Sequence, residues 1–178
     1  MQLGFDDKDN IVYVIDTSGL IKLDSTFPKV NITFYAIWEE IEELMLKSQF
    51  ITIDFVENEI NDYEGDQDFL KKWVKEWKSR FVFPTYEEVI NTAIPIVNEE
   101  YNTGFFDSKK QAIGKDEADP YLIAYCKVNG CVLITNENKN KPNKIPKVAE
   151  KNGVKCIDIY EFLIERELRM ERKKKQRE

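Results

Sequence analysis

Apolar residues along the chain alternate between short continuous runs and stripes at helical spacing. The run over residues 11–15 is rich in β-branched residues and predicts a strand that is buried on both faces. Shorter runs predict four further strands, at 50–53, 81–84, 131–135 and 154–157. Because strands and helical stripes alternate from end to end, the pattern predicts a three-layer α/β/α sandwich with a mostly parallel, doubly wound sheet.

The helical stripes lie between these predicted strands. Asp54 and Glu57 have the spacing of a capping box at the start of one stripe, and Pro95 is expected to kink or interrupt another. The polar stretch over residues 102–115 predicts a loop. The stripes predict helices at about 33–47, 54–63, 69–77, 89–97, 116–129, 146–152 and 160–170.

Length and composition agree with one soluble domain. The 178 residues are 42% hydrophobic, which is enough for a sizeable core, so we expect residues 1–164 to form a single domain. Residues 165–178 contain seven Lys or Arg and predict a basic C-terminal helical tail. No apolar run approaches the roughly 20 residues of a membrane helix, and the N-terminus is polar. We therefore expect a cytoplasmic protein that has no signal peptide and does not bind a membrane.

The absence of histidine excludes several kinds of chemistry. Ser-His-Asp and Cys-His catalysis, His-ligated zinc sites and C2H2 fingers all need an imidazole. The three cysteines show no CxxC spacing and are expected to be small buried residues. With 33 acidic against 26 basic residues, the source of a catalytic base is then a carboxylate, Lys or Cys with a shifted pKa, or a metal-bound water.

Three acidic residues interrupt patterns that are otherwise apolar. Asp16 directly follows the most hydrophobic strand, where a doubly wound fold binds its ligands, although a strand-end cap is an alternative. Glu59 shares a helical face with Val56, and Asp119 shares one with Leu122. An ionised carboxylate on an apolar face is costly unless a positive charge satisfies it, so these three acids are candidates for a site.

Two further acids are candidates with open alternatives. Glu137 follows the strand predicted over 131–135, and by itself it would be an ordinary loop residue. Asp116 is either a metal ligand or an N-cap of the helix that follows. Carboxylates gathered at one sheet edge would repel each other unless a divalent cation lay between them, and oxygen-only ligation suits Mg2+ or Mn2+.

Four segments, taken in order, resemble the PIN-domain superfamily, and more closely an uncharacterised PIN-like subfamily grouped with toxin–antitoxin toxins. Their order and spacing run over about residues 11–160, nearly the whole domain, and they are IDTSGLI at 15–21, VENEI at 56–60, DPYLIA at 119–124 and ITNE at 134–137. The resemblance implies a compact α/β/α domain with an acidic metal pocket that hydrolyses RNA. In this pattern Asp16, Glu59 and Asp119 would be the core acidic residues. Glu137 would stand where many members have Asp.

The same segments contain polar residues that would support the acids. Thr17 or Ser18 would hydrogen-bond the first acid or a metal-bound water, or else be an N-cap of the following helix. The same alternatives hold for Thr135 and Asn136.

The resemblance implies a Mg2+- or Mn2+-dependent endoribonuclease, the toxin of a toxin–antitoxin pair. Asp16, Glu59, Asp119 and Glu137 would bind the metal, and a metal-bound water would attack the RNA phosphodiester. A small antitoxin is implied as a partner. A homodimer is a further expectation, because Trp73 and Trp77, at i and i+4, would lie either in the core or on an oligomer face. The alternative function is a catalytically inactive PIN-like module that binds RNA or serves as a scaffold.

Several basic residues are candidates for contact with RNA phosphates. For each group the alternative is an ordinary solvated or locally packed segment, as in any polar loop. The groups are Lys139, Lys141, Lys144 and Lys147 after Glu137; Lys109, Lys110 and Lys115 around Phe105 and Phe106, where bases could stack; and the basic tail.

Overall fold

The computed structural model describes residues 10–65, 68–112 and 117–168. Five parallel strands form one sheet in the order β3-β2-β1-β4-β5. The winding direction reverses between β1 and β4, which confirms the predicted doubly wound sheet and creates a switch point between these two strands. The strands are β1 (Tyr13–Ile15), β2 (Phe50–Ile53), β3 (Val82–Phe83), β4 (Val132–Ile134) and β5 (Cys156–Ile157).

Helices occupy the connections and cover both faces of the sheet, as expected for parallel strands. A 3₁₀ turn at Ile32–Phe34 leads into the second helix. The helices are α1 (Thr17–Thr26), α2 (Tyr35–Leu46), α3 (Asp54–Asp62), α4 (Asp68–Phe81), α5 (Glu87–Glu100), α6 (Ser108–Ala112), α7 (Asp119–Asn129), α8 (Ile145–Lys151) and α9 (Ile159–Glu165). Among the described helices, none has the length and apolar character needed to cross a membrane.

The core lies on both sides of β1, whose three residues are almost completely buried. Aromatic residues from the surrounding helices pack around it, including Trp38 on α2 and Phe162 on α9. Trp73 on α4 is also buried, and its ring meets Trp38 edge-on with centroids 5.2 Å apart. Of the two alternatives for Trp73, the structure therefore places it in the core.

The predicted capping box at the start of α3 is wrong. Ile53 is the N-cap residue and no side chain caps the helix. Asp54 instead accepts hydrogen bonds from the backbone N–H and the hydroxyl of Thr85, and Glu57 pairs with Lys78 at 2.7 Å. These partners lie after β3 and on α4, so contacts distant in sequence take the place of the local motif.

Other boundaries also differ from those expected. Pro95 does not interrupt α5, which is continuous from Glu87 to Glu100 with Pro95 on its exposed side. There, water can satisfy the carbonyl that proline leaves free. The predicted loop over 102–115 contains the short helix α6, and α7 begins at Asp119 and not at residue 116.

The C-terminal helix is shorter than predicted. It ends at Glu165, and the guanidinium of Arg166 then donates two hydrogen bonds to Glu40 on α2, at 2.7 and 2.9 Å. Arg166 is therefore part of the folded body and not of a free tail. The remainder of the predicted basic tail, from residue 169, and the candidates Asp116 and Lys115 lie outside the described residues.

Gly19 in the first turn of α1 permits the close approach of α1 to β1 and β4. A Cβ atom there would lie 2.9 Å from the Oδ1 atom of Asp16 and 3.3 Å from the carbonyl oxygen of Ile134. We expect Gly19→Ala to lower the free energy of unfolding by about 1–3 kcal/mol, because the added methyl group must displace one of these neighbours. Urea denaturation measures the change.

Ser25→Ala is the matched control, because Ser25 is an exposed residue of the same helix. We expect it to change stability by less than about 0.5 kcal/mol. An alanine at position 19 that stabilises the protein, as alanine ordinarily does in a helix, would contradict the proposed steric limit.

Candidate active site

The switch point between β1 and β4 opens into a cavity of about 900 Å³. Asp16 follows β1 directly, and its backbone N–H donates to the carbonyl oxygen of Ile134 at the end of β4. Among the described residues, eight carboxylates and three lysines line the cavity, which gives this lining a strongly negative charge when all are ionised. The lining acids are Asp16, Glu59, Asp62, Glu64, Asp107, Glu117, Asp119 and Glu137, and the lysines are Lys109, Lys110 and Lys144.

Asp16 is buried and is held by a fixed set of hydrogen bonds. Its Oδ1 atom accepts from the backbone N–H of Gly19 at 2.5 Å, so it caps α1 as well as lining the cavity. Its Oδ2 atom accepts from the hydroxyls of Ser18 at 2.9 Å and Thr135 at 2.5 Å. Burial raises the pKa of Asp16 to about 7, although the hydrogen bonds from Thr135, Gly19 and Ser18 act in the opposite direction.

Thr17 and Ser18 support different acids. Ser18 donates to Asp16, and its oxygen accepts from the backbone N–H of Asn136 at 3.0 Å, which ties α1 to the end of β4. Thr17 donates instead to the Oε2 atom of Glu59, at 2.5 Å. Neither residue is the N-cap of α1, because Asp16 itself occupies that position. The contribution of Asn136 comes from its backbone N–H.

Glu59 projects from α3 into the cavity, where a lysine meets it. Its Oε1 atom lies 3.1 Å from the Nζ atom of Lys110 on α6, and it also accepts from the backbone N–H of Ala118 at 3.4 Å. Two of the four predicted acids thus have their carboxylates hydrogen-bonded by α1 hydroxyls.

Asp119 occupies the first turn of α7, partly buried at the edge of the cavity. Among the described residues, none donates a hydrogen bond to its carboxylate. Burial raises its pKa well above the usual range, and the charges of Glu137, Asp16 and Glu59 raise it further. Asp119 is therefore the carboxylate of the cluster that is least satisfied by the described part of the protein.

Glu137 also lines the cavity, and its carboxylate is paired on both oxygens. Its Oε1 atom pairs with Lys144 at 2.9 Å, and its Oε2 atom accepts from the backbone N–H of Ile145 at 2.8 Å. Its own backbone N–H donates to the Thr135 hydroxyl at 3.1 Å. Lys144, predicted as a phosphate contact, lies at the cavity but is engaged by an acid.

Several charged residues of the cavity were not predicted as parts of an acidic site, Glu117 and Lys110 among them. Glu117 is only 9% exposed, accepts from the backbone N–H of Asp107 at 2.8 Å and lies 3.6 Å from Lys110. Lys110 was predicted as a candidate for phosphate contact and not as a partner of the acids. Its pairing with Glu59 joins residues 51 positions apart, and no local sequence pattern reports such a contact.

Not every other predicted contact lies at the cavity. Lys139 pairs with Asp158 and Glu161, and Lys141 is exposed on the loop before α8, and neither lines the cavity. Phe105 is buried and meets Phe106 edge-on, which agrees with local packing, although both residues also line the cavity. Of the four lysines predicted to contact phosphate after Glu137, Lys144 is the one that lines the cavity.

The carboxylates share one cavity but are not arranged as a ready chelate. Within the described ranges, no group of three acidic residues is already placed to hold a metal ion. Glu59 and Glu117 are engaged by Lys110, and Glu137 is engaged by Lys144. A divalent cation would therefore have to exchange with at least part of this internal pairing.

The sequence matches, over residues 13–170, the family described as a domain of unknown function, DUF4411. The chain belongs to the DUF4411 family. A search of curated proteins finds no relative that matches this DUF4411 chain.

Comparison with solved structures shows a shared fold. The structure of DNA-bound VapBC from Salmonella typhimurium aligns with a TM-score of 0.51 and 16% identity, over 83% of this DUF4411 chain and 98% of that one. PAE2754 from Pyrobaculum aerophilum aligns with a TM-score of 0.49 and 15% identity, over 92% and 94% of the two chains. The alignment with VapBC and the parallel order of the sheet confirm the predicted α/β fold.

The buried Asp16 carboxylate generates a prediction for stability. Because its pKa is raised to about 7 in the folded protein, the folded state binds more protons than the unfolded state between about pH 4 and 7. The contribution of Asp16 to stability therefore falls as pH rises through this range. In EDTA at pH 8, we expect Asp16→Asn to be more stable than the wild type by roughly 1–3 kcal/mol, and this gap to shrink at pH 5.

Urea denaturation at the two pH values tests this expectation. Glu88→Gln is the control, because Glu88 is an exposed acid on α5 whose replacement should give no such pH-dependent gap. An Asp16→Asn gap that is absent at pH 8, or larger at pH 5 than at pH 8, would contradict the assignment of a raised pKa to Asp16.

Proposed function

We propose that this DUF4411 protein is a Mg2+- or Mn2+-dependent endoribonuclease that acts as the toxin of a toxin–antitoxin pair. The observation that carries the proposal is the convergence of Asp16, Glu59, Asp119 and Glu137 on one cavity at the switch point of a PIN-like sheet. Ligands of doubly wound folds bind at this position.

The donor set fits a hard divalent cation. All four proposed ligands are carboxylates, the chain has no histidine, and Asp119 lacks a hydrogen-bond donor among the described residues. Asp16, Glu59, Asp119 and Glu137 would hold the ion, with Glu117 as a further acid of the same cavity and Asp116 as a further proposed ligand. When bound, such a cation supplies Lewis-acid stabilisation of a phosphodiester and lowers the pKa of water.

The residues of the chain itself have two roles in this proposal, which are to orient the acids and to meet the charge of the phosphate. Ser18 and Thr135 hold the Asp16 carboxylate in one orientation, and Thr17 does the same for Glu59. This fixed arrangement favours a single placement of the reacting phosphate. In hydrolysis, a bond forms between the water oxygen and phosphorus while the bond to the 3′ oxygen breaks, and that oxygen leaves with a proton. Lys144 lines the cavity and would meet phosphate charge, whereas Lys139 and Lys141 do not line the cavity.

The partner proposal rests on the resemblance of the four segments and on the shared fold. VapBC from Salmonella typhimurium, whose structure aligns best of those described above by TM-score, was determined bound to DNA. By analogy we propose a small antitoxin as a partner, RNA as the substrate and a homodimer as the assembly. Growth arrest on expression of the wild type, but not of Asp119→Asn, would support the toxin role.

A second candidate is a module with the same fold that binds RNA without cleaving it. The internal pairing of Lys110 with Glu59 and of Lys144 with Glu137 favours this alternative, because it neutralises the acids without a metal. Calorimetric titration with Mn2+ separates the two functions. An inactive module would show no binding that depends on Asp16 and Asp119.

The nuclease proposal predicts the effect of removing one carboxylate. We expect Asp119→Asn to lower the rate of RNA cleavage by at least about 100-fold, the scale for loss of one electrostatic group in an active site. EDTA should abolish the activity, and Mn2+ should restore it. Gel analysis of a labelled RNA incubated with purified protein measures both effects.

Asp68→Asn is the control, since Asp68 is an exposed acid in the first turn of α4 and does not line the cavity. It should cleave RNA at close to the wild-type rate. Cleavage that persists in EDTA, or that survives both Asp119→Asn and Asp16→Asn, would refute the metal-dependent mechanism.

A further inference from the structure

Lys110 is placed differently from the other cations of the cavity. Its ammonium group lies 3.1 Å from Glu59 Oε1 and 3.6 Å from Glu117 Oε2, so it bridges carboxylates from two separate segments. Lys144 instead pairs with one acid, Glu137, which also accepts a backbone hydrogen bond from Ile145. Lys109 is exposed and makes no ion pair with a described residue.

The environment of Lys110 keeps it charged. Burial lowers the pKa of its ammonium group, but the charges of Glu59, Glu117 and Asp119 outweigh burial and raise the pKa above its usual value. A charge held in this way offsets the repulsion between the acids that converge on the cavity.

We propose that Lys110 is the built-in counter-ion of the metal-free cavity and that a divalent cation must displace it from Glu59 and Glu117 in order to bind. A bridging position between two carboxylates is also the position that an oxygen-ligated divalent cation would take. The ammonium group and the cation cannot both occupy it. Lys110 therefore lowers the affinity for metal, and its release on metal binding leaves its charge available to an anionic substrate.

This inference rests on the proposed function, because it assumes that the acids bind a divalent cation. It goes beyond that function by assigning a role in metal binding to Lys110. This residue lies on α6, a short helix in a segment where the sequence predicts a loop. A purely structural role for Lys110 leads to the opposite expectation. If Lys110 only held the two carboxylates in place, its removal would weaken metal binding.

Titration calorimetry with Mn2+ alone, on the full chain, distinguishes these roles. We expect Lys110→Met to bind Mn2+ roughly 3- to 10-fold more tightly than the wild type, the scale expected for loss of one competing, partly buried ion pair. Lys110→Arg keeps the positive charge and should bind within about twofold of the wild type. The rise in melting temperature on addition of Mn2+ should be larger for Lys110→Met than for the wild type, and this readout remains valid if the variant is less stable.

Lys109→Met is the matched control. It removes the same charge from the neighbouring position of the same helix, which also lines the cavity, but it breaks no ion pair with a described acid. It should change Mn2+ affinity by less than about twofold, through long-range charge alone. An equal gain in affinity for Lys109→Met and Lys110→Met would overturn the proposed exchange.

The remaining outcomes separate this inference from the proposed function. If the wild type binds Mn2+ and Lys110→Met binds it equally or more weakly, the counter-ion role is wrong while a metal-dependent nuclease remains supported. If neither protein binds Mn2+, the metal-dependent function and the counter-ion role both fail.

Discussion

The hydrogen bonds of the Asp16 carboxylate are the interaction on which the rest of the site depends. Asp16 ends β1, caps α1 through Gly19 and accepts from Thr135 after β4, so one buried side chain joins three elements at the switch point. A buried carboxylate is tolerated only when donors surround it, and here two hydroxyls and a backbone N–H do so. The same contacts that stabilise the strand ends therefore orient the central acid of the cavity.

Charge balance is the second constraint. Acids from α3, α7 and the segments that precede α7 and α8 meet in one cavity, where their repulsion is offset by Lys110 and Lys144. Packing of the apolar faces of the helices against the sheet supplies the free energy that brings these acids together. The two lysines offset only part of the negative charge, and a strongly negative cavity is one that would attract a cation.

Individual residues show how far local patterns predict this arrangement. Asp16, Glu59 and Asp119 could be selected because each interrupts an apolar run or stripe. Local periodicity is enough to show which face of a strand or helix is buried. The capping box at Asp54 failed because Thr85, 31 positions away, supplies a better partner. The bridge from Lys110 to Glu59 and Glu117, and the support of Glu59 by Thr17, likewise depend on packing between separate elements.

The sequence by itself determined the alternation of strands and helices, the doubly wound α/β fold class and the acids whose burial is most costly, because these follow from short-range periodicity and the cost of desolvating charge. Only the tertiary structure decided which cation faces which acid. Pairing across the cavity depends on distances between α3, α6 and α7 that no local pattern encodes. For this reason Lys139 was expected at the site and is found elsewhere, whereas Lys110 bridges the carboxylates at its centre.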